Sequence, residues 1–168
     1  RAAPGGSGGV KAIGNYAPGM MPSRKAKDAG YAEIIYLDAE EHKYVEEVGA
    51  ANFFCVKDNT LYTPELTGTI LPGITRDSII QLARQMGHEV VETKVEAEFA
   101  MNADEAFCCG TAAVISPIGQ ITLGGKTATY ADGSTPGEVT QKLYDALTNI
   151  QSEVGEDIFG WLHPVPGM

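Results

Sequence analysis

The scarcest features of this chain narrow its possibilities first. Cysteine appears 3 times in 168 residues, at Cys55 and at the adjacent pair Cys108 and Cys109. Three thiols cannot all pair and neighbouring cysteines rarely bridge each other, so a disulfide-built scaffold is excluded and a reducing compartment favoured; the three read as packing residues. Positive charge is also scarce. With 12 Lys and Arg against 22 Asp and Glu, and a net charge of -10, the chain lacks the basic face that nucleic acid or an anionic membrane would require. No apolar run reaches the roughly 18 residues of a membrane-spanning helix. The opening RAAPGGSGG has neither the apolar core of a signal peptide nor an amphipathic Arg/Ser-rich character beyond Arg1. A start on Arg1 rather than Met, running straight into a Gly-rich stretch, reads as a piece cut from something longer. The expectation is a soluble intracellular body, with cytoplasm, mitochondrion and plastid equally compatible.

What is present is material for a core: 43% of residues are hydrophobic and 20% charged, in a length of about one domain. Residues 17–28 have helical composition ending before Gly30, although Gly19 and Pro22 weaken the first turns. Residues 33–37 and 52–57 read as strands, with Asp58-Asn59 turning into a return at 60–63. From 76 to 86, Ile79, Ile80, Leu82, Ala83 and Met86 form a helical stripe stopped by Gly87, and 89–95 alternates as a strand. Residues 108–118 and 120–123 read as strands, and Gly124-Gly125 turns into 126–130. The last element runs from Pro136 to about Glu153, with Val139, Leu143, Leu147, Ile150 and Val154 on one face. Strands and hairpins mixed with three helices, without regular βαβ alternation, predict a mixed α/β (α+β) domain with no internal repeat and no linker.

Four segments could carry chemistry, and each has a plain alternative. Lys11 lies in GGVKAIGNYAP. A lysine beside glycines is usually a solvated loop residue, yet Val10, Ala12 and Ile13 would desolvate its ammonium and lower its pKa, as a Schiff-base lysine needs. In LPGITRDSII, residues 71–80, Pro72-Gly73 leads into the amphipathic helix. The Ile74 and Thr75 N–H groups would then face a phosphate at a helix N-terminus; the plain alternative is that Thr75 caps the helix. In CCGTAAVISP, Gly110 and Thr111 end an apolar strand where a ligand could approach the backbone, unless they only make a tight turn. In EEVGAANFF, Glu47 precedes Gly49, Ala50 and Ala51 just before a strand. It is either a surface carboxylate or a partner for a heteroaromatic nitrogen.

Taken together and in order, Lys11 with Asn15-Tyr16, Glu47 before Val48-Gly49, LPGITR, and Gly110-Thr111-Ala112 resemble the successive motifs of branched-chain aminotransferases, fold-type IV enzymes that work through pyridoxal 5'-phosphate (PLP). The resemblance extends from Arg1 through the final helix. It implies that residues 1–168 are a single PLP-binding domain, the large C-terminal domain of the D-amino-acid aminotransferase-like fold, without the small N-terminal domain that precedes it in the family. It implies Lys11 as the lysine that bonds the cofactor aldehyde and shuttles the substrate α-proton. Glu47 would hold the proton on the pyridine nitrogen, and Tyr16 would hydrogen-bond the phenolic oxygen. Ile74, Thr75 and Thr111 would grip the phosphate with Arg1 nearby, and Ala50 and Ala112 would bind the substrate carboxylate through their N–H groups. No metal is implied.

The reaction implied is amino-group transfer between L-leucine, L-isoleucine or L-valine and 2-oxoglutarate, giving L-glutamate, in a full-length homodimer. D-amino-acid aminotransferases and aminodeoxychorismate lyases share the lysine and the glutamate and are the rival enzymes, and a non-catalytic fragment is the rival outside enzymes. Two positions depart from the pattern. Ala113 and Ser116 stand where some members carry a redox Cys-x-x-Cys, so no such thiol regulation is expected, and Pro22 is expected to kink or delay the helix after the lysine loop.

Overall fold

Short runs of β-branched and aromatic residues between turn formers become strands, and amphipathic runs become helices. The computed structural model describes residues 1–163 and 165. Single turns of 3-10 helix at Ile13–Asn15 and Ala17–Gly19 lead into α1 (Met20–Asp28), followed by β1 (Ile35–Leu37), β2 (Tyr44–Val48), β3 (Ala51–Lys57) and β4 (Thr60–Pro64). Then come α2 (Ile74–Gln85), β5 (Val90–Thr93), β6 (Val95–Glu96), α3 (Ala97–Met101), β7 (Glu105–Gly110), β8 (Val114–Pro117), β9 (Gln120–Leu123), β10 (Lys126–Thr129) and α4 (Glu138–Gln151). Strands β1 to β8 form one sheet, and β9 with β10 a separate hairpin. Among the described residues only β4 and β5 pair in parallel, across the α2 connection, so the mixed α/β expectation holds with one βαβ unit there embedded in antiparallel ladders. Among the described residues no helix is long and apolar enough to cross a membrane.

Strand β3 is the axis of the fold, paired with β2, β4 and β7. Its alternation sends Phe54 and Val56 into one apolar layer, with Leu61, Phe107, Leu143 and Leu147 beside Ile79 and Ile80 of α2, and sends Phe53 and Cys55 into the other, with Val45, Val95, Ala106 and Tyr130. Phe54 and Phe107 are cross-strand partners and stack with ring centroids 5.0 Å apart. Helix α4 is tied to the sheet by a carboxylate from β7: Glu105 accepts from the Val139 and Thr140 N–H groups at 3.0 and 2.8 Å and from the Thr140 hydroxyl at 2.7 Å. An anion at the first turn of a helix satisfies donors that have no partner within it.

Several sequence-based boundaries move. Glu47, expected just before a strand, lies within β2, which propensity does not reveal because its sequence YVEEV mixes paired carboxylates with valines. The run 108–118 is not one strand: β7 stops at Gly110, 111–113 turn, and β8 starts at Val114 with φ 54. The run 89–95 breaks at Lys94 into β5 and β6, which pair with β4 and β2 respectively. Pro136 stands ahead of the N-cap Gly137, and Val154, beyond the helix end, is 78% exposed and does not join the buried face. The helix after the lysine loop starts late, at Met20 instead of residue 17, with Pro22 as its third residue, where the missing N–H has no intrahelical partner to lose.

Candidate active site

Register brings the separated motifs to one end of the sheet. Glu47 faces Asn52 across β2 and β3, Asn52 faces Cys109 on β7, and Cys109 faces Ile115 on β8. The turns just beyond this row, at Gly49-Ala50 and at 111–113, are therefore neighbours at the same edge. The N-terminal turn of α2 is anchored there as well. Asn52 donates through Nδ2 to the Leu71 carbonyl at 2.9 Å, and the Leu71 N–H donates to Glu47 Oε1 at 3.3 Å.

Helix α2 begins at Ile74 with Gly73 as its N-cap and no side-chain cap. The plain alternative for Thr75 thus fails: it sits inside the first turn, and the N–H groups of Ile74 and Thr75 remain where an anion would be favoured. Ile74 is 82% exposed and Thr75 half-buried, while Ala50, Thr111 and Ala112 are exposed in their turns.

The loop carrying Lys11 is stapled by Asn15. This side chain, buried at 5% exposure, donates to the Ser7 and Val10 carbonyls at 2.7 and 2.8 Å and accepts from the Ser7 hydroxyl at 2.7 Å. Gly8 lies so close to the Thr69 carbonyl that a Cβ there would collide with it, which presses the lysine loop against the segment leading into α2. The expected desolvation of Lys11 does not occur within this chain. Lys11 is exposed, Val10 and Ile13 are 58% and 89% exposed, and the apolar neighbours point outward instead of covering the ammonium. Two tight 3-10 turns follow immediately, and a chain reversing that fast leaves side chains on its outside.

Arg1, expected near a phosphate, makes an ion pair with Glu47, and the two side chains are only 5% and 3% exposed. Its guanidinium also lies 5.7 Å from the centre of the Tyr16 ring. Burial pushes the Glu47 carboxyl up from its ordinary value, opposed by the Arg1 guanidinium and the Leu71 N–H. The Arg1 guanidinium sits on Glu47 Oε2 through Nη2, while the buried Arg1 Nε has no hydrogen-bond partner among the described residues. A buried donor without an acceptor is costly unless a ligand supplies one. Arg1, Tyr16 and Glu47 are thus in one cluster, with Ile74 and Thr75 joined to it through Leu71. Sequence reasoning passed over Asn52, which looks like an ordinary strand residue, and Tyr36, whose hydroxyl packs against Gly19 and is pushed up by burial and by Glu33.

The sequence profile of amino-transferase class IV matches residues 4–121. Branched-chain amino acid aminotransferase 2, chloroplastic, of Humulus lupulus is 49% identical over 161 residues, which are 96% of this chain and 39% of that protein. The branched-chain amino acid aminotransferase from Escherichia coli superposes with a TM-score of 0.86 at 39% identity, covering 99% of this chain and 54% of that one. The branched-chain amino acid aminotransferase from Thermobaculum terrenum, solved in its PLP form, superposes at 0.77 and 33% identity, covering 89% and 47%. The chain therefore spans about half or less of the length of the proteins it matches.

Proposed function

The chain belongs to the amino-transferase class IV family, and from that premise we propose that it is the cofactor-holding domain of a branched-chain amino-acid aminotransferase. The reaction is amino-group transfer between L-leucine, L-isoleucine or L-valine and 2-oxoglutarate through PLP. The observation that carries the reading is the juxtaposition of a buried carboxylate, Glu47, with the uncapped N-terminus of α2, the two joined through Leu71. These are the two poles a pyridine ring bearing a phosphate requires. The likeness to a solved relative in its PLP form supports the same cofactor.

When bound, PLP supplies an electron sink for the charge left on the substrate α-carbon. Lys11 would anchor the cofactor aldehyde and carry the α-proton. Glu47 would hold a proton on the ring nitrogen, and Arg1, by opposing the effect of burial, would favour the ionised carboxylate that this task needs. Tyr16 would donate to the phenolic oxygen. The Ile74 and Thr75 amides, the Thr75 hydroxyl and Thr111 would hold the phosphate, and the Ala50 and Ala112 N–H groups the substrate carboxylate. The assembly expected of the whole protein is a homodimer.

The test is an absorbance spectrum of the full chain with PLP, before and after L-leucine, with Lys11→Ala as control. A Lys11-dependent visible band that is lost on adding L-leucine supports the reading. A band that responds to D-alanine in preference to L-leucine overturns the substrate assignment, and absence of any Lys11-dependent band overturns cofactor binding by this chain.

A further inference from the structure

We propose that Asn52 is a positioning residue for the phosphate-binding turn, and that it works with Glu47 as a two-point clamp on Leu71. The inference rests on the PLP reading above. Leu71 offers one N–H and one C=O, and the two cross-strand partners take both: Glu47 accepts from the N–H at 3.3 Å, and Asn52 donates to the carbonyl at 2.9 Å. Both gripping side chains are buried, at 2% and 5% exposure. The ring-nitrogen carboxylate and the anion-binding helix start are thereby fixed relative to each other through a single residue.

The neighbouring glycine gives an independent sign of the clamp. Gly73 has φ -68 and ψ 137, a conformation open to any residue. Its backbone does not require glycine. A Cβ at position 73, however, would collide with Asn52 Oδ1, while its other close neighbour, the Arg76 Cβ, lies at an ordinary 3.6 Å. The carboxamide thus makes two separate demands, holding Leu71 through its nitrogen and limiting position 73 to glycine through its oxygen. Pro72 between them restricts φ, so 71–73 is set before any anion arrives. An anion then meets N–H groups already aimed, without the ordering cost a mobile turn would add.

A purely structural role for Asn52, satisfying a buried carbonyl, would lower stability without distinguishing phosphorylated from unphosphorylated ligand. The test is therefore the affinity of the full chain for PLP and for pyridoxal, read by absorbance, with inorganic phosphate as competitor and thermal melting as the control for folding. Asn52→Ala is expected to weaken PLP about tenfold, the equivalent of one lost hydrogen bond, while pyridoxal changes by less than about twofold and phosphate competes less well. Gly73→Ala approaches the same contact from the other side and needs no buried cavity. Alone it is expected to show the same selective loss of PLP, and in the Asn52→Ala background, where the obstacle is gone, to add little. Equal losses for PLP and pyridoxal, or Gly73→Ala and Asn52→Ala penalties that simply multiply, would overturn the proposal while leaving the cofactor assignment standing. Failure of the unaltered chain to bind PLP would overturn that assignment and this proposal with it.

Discussion

Arg1 and Glu47, far apart in the chain, meet as an ion pair almost completely withdrawn from solvent, with the Arg1 guanidinium on Glu47 Oε2 and the Leu71 N–H on Oε1. A charge pair so placed acts less as a source of net stability than as a control on the carboxylate. Desolvating both ions costs about as much as their attraction returns, whereas deleting one strands the other.

Arg1→Met is therefore expected to cost roughly 3–5 kcal/mol at neutral pH and to change how stability depends on pH. Burial already raises the Glu47 carboxyl, and without Arg1 nothing but the Leu71 N–H opposes it. The folded state then holds a proton that the unfolded chain has released. Stability falls as pH rises from the ordinary carboxylate value, about 4.3, through the raised folded value, and levels off above it. Urea unfolding across pH tests this. Glu47→Gln in the same background should flatten the slope, and parallel profiles for Arg1→Met and the unaltered chain would exclude the control role.

Glu105 is expected to matter to folding as much as many core residues, although it is charged. Its carboxylate bonds two N–H groups and a hydroxyl at the start of α4. Glu105→Ala should cost roughly 1–3 kcal/mol, the range for stranding buried donors. Thr140→Val should cost less, and the double variant less than the sum, because both changes remove the same hydroxyl contact. Strict additivity in denaturant titrations would show that the two side chains do not act together.

Thiol chemistry should be silent in the folded protein. Burial pushes Cys55 and Cys109 up to about 12 and raises Cys108 as well, so little reactive thiolate exists near neutral pH. Cys108 and Cys109 are consecutive on β7 and pack against opposite apolar layers, which prevents their bridging. Alkylation followed by mass spectrometry is expected to label all three only on unfolding. Labelling of the folded chain at the rate of a free thiol would contradict this.

The chemistry-bearing residue types and their order were readable in the sequence, as were the amphipathic helices over Ile79 to Ala83 and Val139 to Ile150, because helical periodicity and turn formers act over a few residues. The start of α2 was legible for the same reason, since Pro72 and Gly73 mark it locally. Three features that decide the site depend on chain segments distant from one another, and no local pattern encodes them. Pairing placed Glu47 opposite Asn52 and made Asn52 a clamp on Leu71; neither residue looks unusual alone. Packing carried Arg1 onto Glu47, since a buried carboxylate draws the cation within reach. The path of the lysine loop, held by Asn15 against the segment before α2, left Val10 and Ile13 facing outward, so the covering of Lys11 that its neighbours suggested is not made by those neighbours. The residue types were fixed by local sequence, and which of them touch was decided by long-range register and burial.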